Sequence, residues 1–506
     1  MFCKKESARV QTRPSRRLGA RVSLWIGAGA LALCSAGLGA REAGAFCGFF
    51  VSGADAALSN NASQVALLRK GNRTVLTMSN NYKGPPQDFA MVVPVPVVLK
   101  KTDVKTLAPD VFAHIDQLSA PRLVEYWEQD PCQPQVDYEG AVPSAAMAGG
   151  GPADALSAAP RHGVRIEAKF NVGEYQILVL SAQESTGLET WLKENKYKIP
   201  RGAAGALAPY VRDQMKFFVA KVDIQKVKRD SHGYVVLSPL RVAYDSPELR
   251  LPVRLGLLNA ESKQDLIIYI LHPDKRFEVA NYRNVFVPTN LEVNNSVRKQ
   301  FPAFYAELFD ETLRRNNNKA VVTEYAWQTS SCDPCPTPPL EASDLYTLGD
   351  DSFAGAAPNQ PAGAPLTPYY GSPPQYVLTR LHTRYDQQTL SEDLIFRAAE
   401  PVVGGRSDGD GSVGNPTPQL VKQGENNFQG RYIIRHYWEG KVACKNPNYG
   451  IWGGPPSGQG EGTKTAADLA NAPRGVVKLP QVVESGVPML GIAAKPKRPL
   501  RPGETR

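Results

Sequence analysis

"QYVLTRLHTRYD", residues 375–386, is rich in β-branched and aromatic residues and has no turn residue inside it, so it reads as a β-strand. Side chains on a strand alternate between faces, which places Arg380, His382 and Arg384 together on one of them. A second run of the same character, "GRYIIRHYW" at residues 430–438, puts Arg431 and Arg435 on one face and His436 and Trp438 on the other. If the two strands pair, their cations form a ladder able to grip a phosphate or carboxylate ligand. The plain alternative is a solvated face balanced by Asp386, Glu392 and Asp393.

Working outward, strands dominate. "SQVALLRKGNRTVLTMSNN" (63–81) reads as a hairpin turning at Lys70-Gly71-Asn72, and "VRIEAKFNVGEYQILVL" (164–180) as a second. "DLIIYILHPDKRFEVANY" (265–282) reads as a third, with His272 at its Pro-Asp turn. In "DFAMVVPVPVV" (88–98), Pro94 and Pro96 remove two amide donors from one side, the pattern of an edge strand. "AVVTEYAW" (320–327) is a further strand, leading into a cysteine pair. Helices are few. Ser119 and Pro121 are expected to open one bearing Leu123 and Trp127, and His114 lies on another. Thr186 and Glu189 form a capping box before Leu188, Trp191 and Leu192. Leu207, Tyr210, Val211 and Met215 mark a helix, and a longer one runs from Phe301 to Leu313. The expected class is α+β, with mixed or antiparallel sheets, a few amphipathic helices and long Gly/Ala/Pro-rich loop insertions.

Composition marks the seams. Residues 1–45 carry a basic head, an apolar run from Val22 to Leu38 and a small-x-small exit at Ala43-Gly44-Ala45, the signature of a secretory signal peptide cleaved near Ala45-Phe46. Gly27, Gly29 and Gly37 interrupt the apolar run, which argues against a permanent span. Beyond it we expect an α+β segment at 46–139, a flexible insert at 140–162 and a central α+β segment at 163–350. A Pro/Gly-rich insert follows at 351–374, a strand-rich segment at 375–450 and a disordered basic, Pro-rich tail at 451–506. The 506-residue chain has 58 basic and 49 acidic residues; the leader removes eight and two of these, leaving a mature charge of +3. Most of that excess sits in the tail, so no clustered positive footprint for nucleic acid is expected.

Removal of the leader also leaves five cysteines: Cys47, Cys132, Cys332, Cys335 and Cys444. In an exported chain they point to disulfides. "CDPC" at 332–335 has the spacing of a thiol redox pair. Pro334, Pro336, Pro338 and Pro339, however, forbid the helix that would activate a thiolate, and Asp333 adds a negative charge. Zinc would need two further ligands at sensible spacing. A structural clasp is the expected role, and a second Asp-Pro-Cys at 130–132 makes Cys132 a candidate partner of Cys332 or Cys335. Asp408 and Asp410 in "SDGDGS" suggest a weak calcium loop at most, because the later ligands of an EF-hand are missing.

The chain resembles a known bacterial family. "FCGFFVSGADAALSNNASQVALLRKGNRTVLTMSNNYKGPPQDFAMVVPVPVVL" (46–99), "APRLVEYWEQDPC", "SAQESTGLETWLKENKYKIP", "EYAWQTSSCDPC" and "TRLHTRYDQQTLSEDLIFR" are similar, in order, to the proteins grouped as domain of unknown function 2330. The resemblance implies an exported protein, sometimes with a C-terminal membrane anchor, and carries no catalytic residues across. A basic, Pro-rich tail stands here instead of such an anchor. The expectation is therefore an exported, non-catalytic binding or structural protein of the envelope or periplasm, with an envelope or extracellular ligand. It has no cofactor, no resident metal, no nucleic-acid partner and no transmembrane anchor in its mature chain. A periplasmic hydrolase assembled from distant residues is the alternative. Thiol redox or metal chemistry at Cys332 and Cys335 is the third reading.

Overall fold

The Ser63–Asn80 ladder shows how the sequence organises the fold: Val65 and Leu67 face one core layer while Ala66 and Leu68 face another, because neighbouring side chains leave a strand on opposite sides. A computed structural model describes residues 49–52, 62–80, 89–132, 163–197, 199–223, 225–229, 235–259, 263–353, 375–404, 419–420, 425–455, 464–466, 469, 472–496 and 498–501. The fold is α+β.

The largest sheet has eleven strands. Its centre runs Ala320–Gln328, Val377–Tyr385, Gln264–His272, Ala62–Lys70, Arg73–Asn80 and Leu240–Asp245. Most neighbours are antiparallel, but Gln264–His272 and Ala62–Lys70 are parallel, so the sheet is mixed. One face supports a core of Val65, Leu67, Ile268, Ile270 and Leu381; a second, five-stranded antiparallel sheet contributes Met91, Ile177 and Phe218 to the same layer. The other face is covered by the helices Asp110–Ser119 and Phe301–Arg314. A further sheet aligns Leu291–Glu292, Arg431–His436 and Arg122–Glu128 in parallel. No helix among the described residues is long and apolar enough to cross a membrane.

Both early hairpins form as expected. Other expectations need correction. The helix anticipated after Ser119 is the strand Arg122–Glu128; the helix precedes it, ending at Ser119, and Ala120 is extended (φ −63°, ψ 147°) because Pro121 disfavours a helical predecessor. Phe89–Val95 is internal, between Phe49–Ser52 and Lys216–Val222, although pairing with the former stops at Val92, just before Pro94. The arms of the 265–282 hairpin part company: Arg276–Val279 pairs with Leu394–Ala399 in a separate sheet, and the Phe277 amide donates to the Thr379 hydroxyl. The helix Ser185–Glu194 begins after Glu184 without the Thr186–Glu189 box.

The largest correction concerns the tail. Val477, Leu479, Val482, Val483, Val487, Leu490 and Ile492 are buried in the same cluster as Phe304, Leu308 and Phe309 of the long helix. Val483 bridges Val293, and the Arg315 guanidinium donates to the Leu490 carbonyl at 2.9 Å. Spaced apolar residues among prolines and glycines dock piecewise, without the periodicity that marks a helix or strand. The insert expected at 140–162, all but the first three residues of the one expected at 351–374, the leader and most of 405–424 lie outside the described residues.

Candidate functional site

Arg380 and His382 do share a face, as their spacing dictates, but the face is the interior of the molecule. Both are fully buried. A β-bulge explains how they are neutralised. In the pairing of Ala320–Gln328 with Val377–Tyr385, Thr323 opposes Leu381 and Tyr325 opposes Arg380, leaving Glu324 as the extra residue. A bulge re-aims the side chain it carries. Glu324 accepts from Arg380 Nε at 2.6 Å, from the Tyr305 hydroxyl at 2.6 Å and lies 2.8 Å from His382 Nδ1. Arg380 also donates to Asp116, which accepts from the Tyr269 hydroxyl at 2.8 Å. His382 Nε2 lies 3.1 Å from Asp265.

Burial works to raise the Glu324 pKa, yet His382, Arg380 and Tyr305 outweigh it and hold the carboxyl at about 2. Burial likewise works to lower His382, and Glu324 with Asp265 outweighs it, so the imidazole pKa is raised. Arg474, from the tail, reaches into the same network. It donates to Asp265 at 3.0 and 3.1 Å and to Asp310 at 2.6 Å, and Arg384 meets Asp310 at 2.9 Å. Every charge here has an opposite partner, and Arg380, His382 and Glu324 have no path to solvent. The second strand of the expected ladder, Arg431–His436, belongs to a different sheet and pairs with Arg122–Glu128. The two halves of the ladder therefore do not meet.

Arg435 from that second strand does reach an opening. A cleft of about 820 Å³ lies beyond the carboxyl ends of Leu291–Glu292, Arg431–His436 and Arg122–Glu128, and the tail completes it. Arg435 lies 3.6 Å from Glu292 and over the Trp452 ring at 5.1 Å. Lys495 meets Glu484 at 2.9 Å, and Arg498 lies over the Tyr437 ring at 4.3 Å. Burial works to raise Glu128, but Arg501 at 2.6 Å and the amides of Trp438 and Gly450 outweigh it and keep the carboxyl below its ordinary range. His436 stacks on Trp127 with centroids 4.5 Å apart and meets Glu125 at 2.8 Å. Arg431, also buried, donates to the Tyr126 hydroxyl behind this surface. Three glutamates, three Arg or Lys cations, His436 and the rings of Tyr437 and Trp452 thus share one open cleft.

Among the described residues the cysteines form two bonds, Cys332–Cys335 and Cys132–Cys444. The candidate bridge from Cys132 to the CxxC pair is not made: Cys444, on the loop after Arg431–His436, lies beside Cys132 on the turn that follows Arg122–Glu128, with Cα atoms 5.5 Å apart. The Cys132–Cys444 bond closes a separation of 312 residues and on a chain-entropy basis is worth up to about 5 kcal/mol, against about 2 kcal/mol for the short Cys332–Cys335 ring. The clasp is Cys132–Cys444. The CxxC loop is held instead by side chains donating to its carbonyls. Arg122 Nη1 donates to Pro334 O at 2.6 Å, Gln429 donates to Asp333 O, and His114 Nε2 lies 2.9 Å from Pro338 O. Burial lowers the Arg122 pKa to about 10. Cys47, Asp408 and Asp410 lie outside the described residues, and among those described no cluster of three or more His, Cys, Asp or Glu is arranged to hold a metal ion.

Sequence reasoning missed Glu324, Asp265 and Arg474. A lone glutamate inside the apolar "AVVTEYAW" was the one visible signal, since an acid in a buried strand must find a partner. No curated protein and no solved structure matches the chain. Residues 41–397 match a family described as "uncharacterized protein conserved in bacteria" (DUF2330), a span that ends before most of the cleft-lining residues. The chain belongs to that bacterial family.

Proposed function

We propose that this chain is an exported binding protein of the bacterial envelope or periplasm, and that it holds its ligand in the cleft formed by Arg435, Trp452, Tyr437 and the tail. The carrying observation is the cleft's lining: Arg435, Lys495 and Arg498 alternate with Glu128, Glu292 and Glu484 around aromatic rings. Such a surface offers charge-assisted hydrogen bonds of both signs together with apolar faces, which suits an extended peptide carrying acidic and basic side chains. Two disulfides support an oxidising compartment. Binding rather than hydrolysis is supported by the location of the perturbed acid and imidazole, Glu324 held low and His382 raised, inside the core and away from the cleft.

Fluorescence anisotropy with a labelled peptide library containing paired Lys and Glu residues around a Trp or Tyr tests the reading. Binders should lose about tenfold in affinity on Arg435→Ala and again on Lys495→Ala, the cost of one charge-assisted contact. A library without binders, or binders indifferent to both substitutions, overturns the cleft. Cleavage products in mass spectra of the same mixtures would replace binding with hydrolysis.

A further inference from the structure

We infer that Cys332–Cys335 is a thiol–disulfide exchange site that takes electrons from a dithiol partner at the exposed Cys335 sulfur. Three observations carry it. First, this bond closes only a three-residue separation, so the fold has little need of it, whereas Cys132–Cys444 spans 312. Second, Cys335 is exposed while Cys332 is half-buried against the Leu340 and Trp327 layer, so the Cys335 side of the bond is the more open to an incoming thiolate. Third, the loop is also held by contacts that do not involve the bond. Pro334, Pro336, Pro338 and Pro339 leave it poor in amide donors; Arg122 and Gln429 donate to its carbonyls from the core, and His114 meets the Pro338 carbonyl nearer the surface. Trp327 Nε1 donates to the Ser331 hydroxyl at 3.1 Å, and the Leu340 amide donates to Thr329 O at 3.1 Å, pinning both ends.

The exchange balances as follows. A thiolate of the dithiol attacks Cys335 Sγ and forms a mixed disulfide; the Cys332–Cys335 bond breaks, and its electron pair leaves on Cys332 Sγ, which takes a proton from water. The second thiol of the partner loses its proton and attacks its own partner sulfur in the mixed disulfide. Cys335 leaves as a thiolate and is protonated. Two electrons and two protons pass to the chain, and the partner departs as a disulfide. The rigid loop returns the two sulfurs to bonding distance, so the reverse reaction regenerates the pair.

The test equilibrates the full, oxidised chain in buffers of reduced and oxidised dithiothreitol, alkylates the free thiols and reads each cysteine by mass spectrometry. Cys332 and Cys335 should reach half-reduction at a reduced-to-oxidised ratio at least 100-fold below that needed for Cys132 and Cys444, with circular dichroism unchanged. Reduction of both pairs together, loss of the fold on reducing Cys332–Cys335, or a Cys332–Cys335 bond that survives at every ratio tolerated by the fold overturns the inference. With glutathione disulfide as the probe, Cys335 in the Cys332→Ser variant should form the mixed disulfide at least tenfold faster than Cys332 in the Cys335→Ser variant. Equal or reversed rates overturn the assignment of Cys335 as the attacked sulfur.

Discussion

Phe309 lies flat on His382, with ring centroids 3.8 Å apart and planes at 12°. The phenyl ring seals one face of the imidazole, so its two nitrogens point edge-on to Glu324 and Asp265. Phe309→Ala opens that seal and should destabilise the chain by about 3–5 kcal/mol in urea unfolding, the usual cost of truncating a buried aromatic.

The Glu324–Arg380 pair is fully buried, and removing one member leaves the other charge stranded. Glu324→Gln or Arg380→Met alone should cost about 3–5 kcal/mol in denaturant unfolding, while the double variant should recover part of the loss. Losses that simply add would show that the two charges do not support each other.

Stability should follow a bell-shaped pH dependence. The folded pKa of Glu324 is depressed from 4.5 to about 2, so its contribution is present above 4.5 and disappears as the pH falls towards 2; Asp265, also depressed, acts in the same direction. The folded pKa of His382 is raised from 6.5, so its contribution is complete below 6.5 and is lost as the pH climbs through the raised value. Thermal melts across pH 3 to 9 should therefore peak between about 4.5 and 6.5. His382→Gln should flatten the alkaline limb and shift the acid limb to higher pH, because His382 helps to hold both Glu324 and Asp265 below their ordinary range.

How much of this was legible depended on whether a signal was local. Alternation in 377–385 and in the 62–80 hairpin is written into neighbouring residues, and both strands form where expected. The expected face of Arg380, His382 and Arg384 was also correct. Its burial was not legible, because the neutralising acids stand 56 and 117 residues away in sequence for Glu324 and Asp265, and a bulge at Glu324 has no composition of its own. The tail was misread for a related reason: its prolines and glycines resemble disorder, and only the groove beside Phe301–Arg314 gives its scattered apolar residues a purpose.

The two disulfides should separate in a stability assay. Cys132→Ser with Cys444→Ser should cost about 2–5 kcal/mol, whereas Cys332→Ser with Cys335→Ser should cost less than about 2 kcal/mol. Equal losses in differential scanning calorimetry would show that the CxxC loop, too, serves as a clasp.

Arg474 should matter more than its place in the tail suggests. Arg474→Ala leaves Asp265 and Asp310 short of a cation and should cost about 3 kcal/mol in urea unfolding. Truncation after Ala472 should cost more, since it also uncovers Phe304, Leu308 and Phe309.

Arg474 also sets a timetable for the molecule's making. It is added to the growing chain 209 residues after Asp265, and Cys444 is added 312 residues after Cys132. A ribosome that has delivered the whole eleven-stranded sheet still holds back the cation that neutralises the sheet's buried acid and the strap that roofs its long helix. Until residues 474–492 are in place, Asp265 and Asp310 each lack one of their cations and the apolar groove beside Phe301–Arg314 stays open.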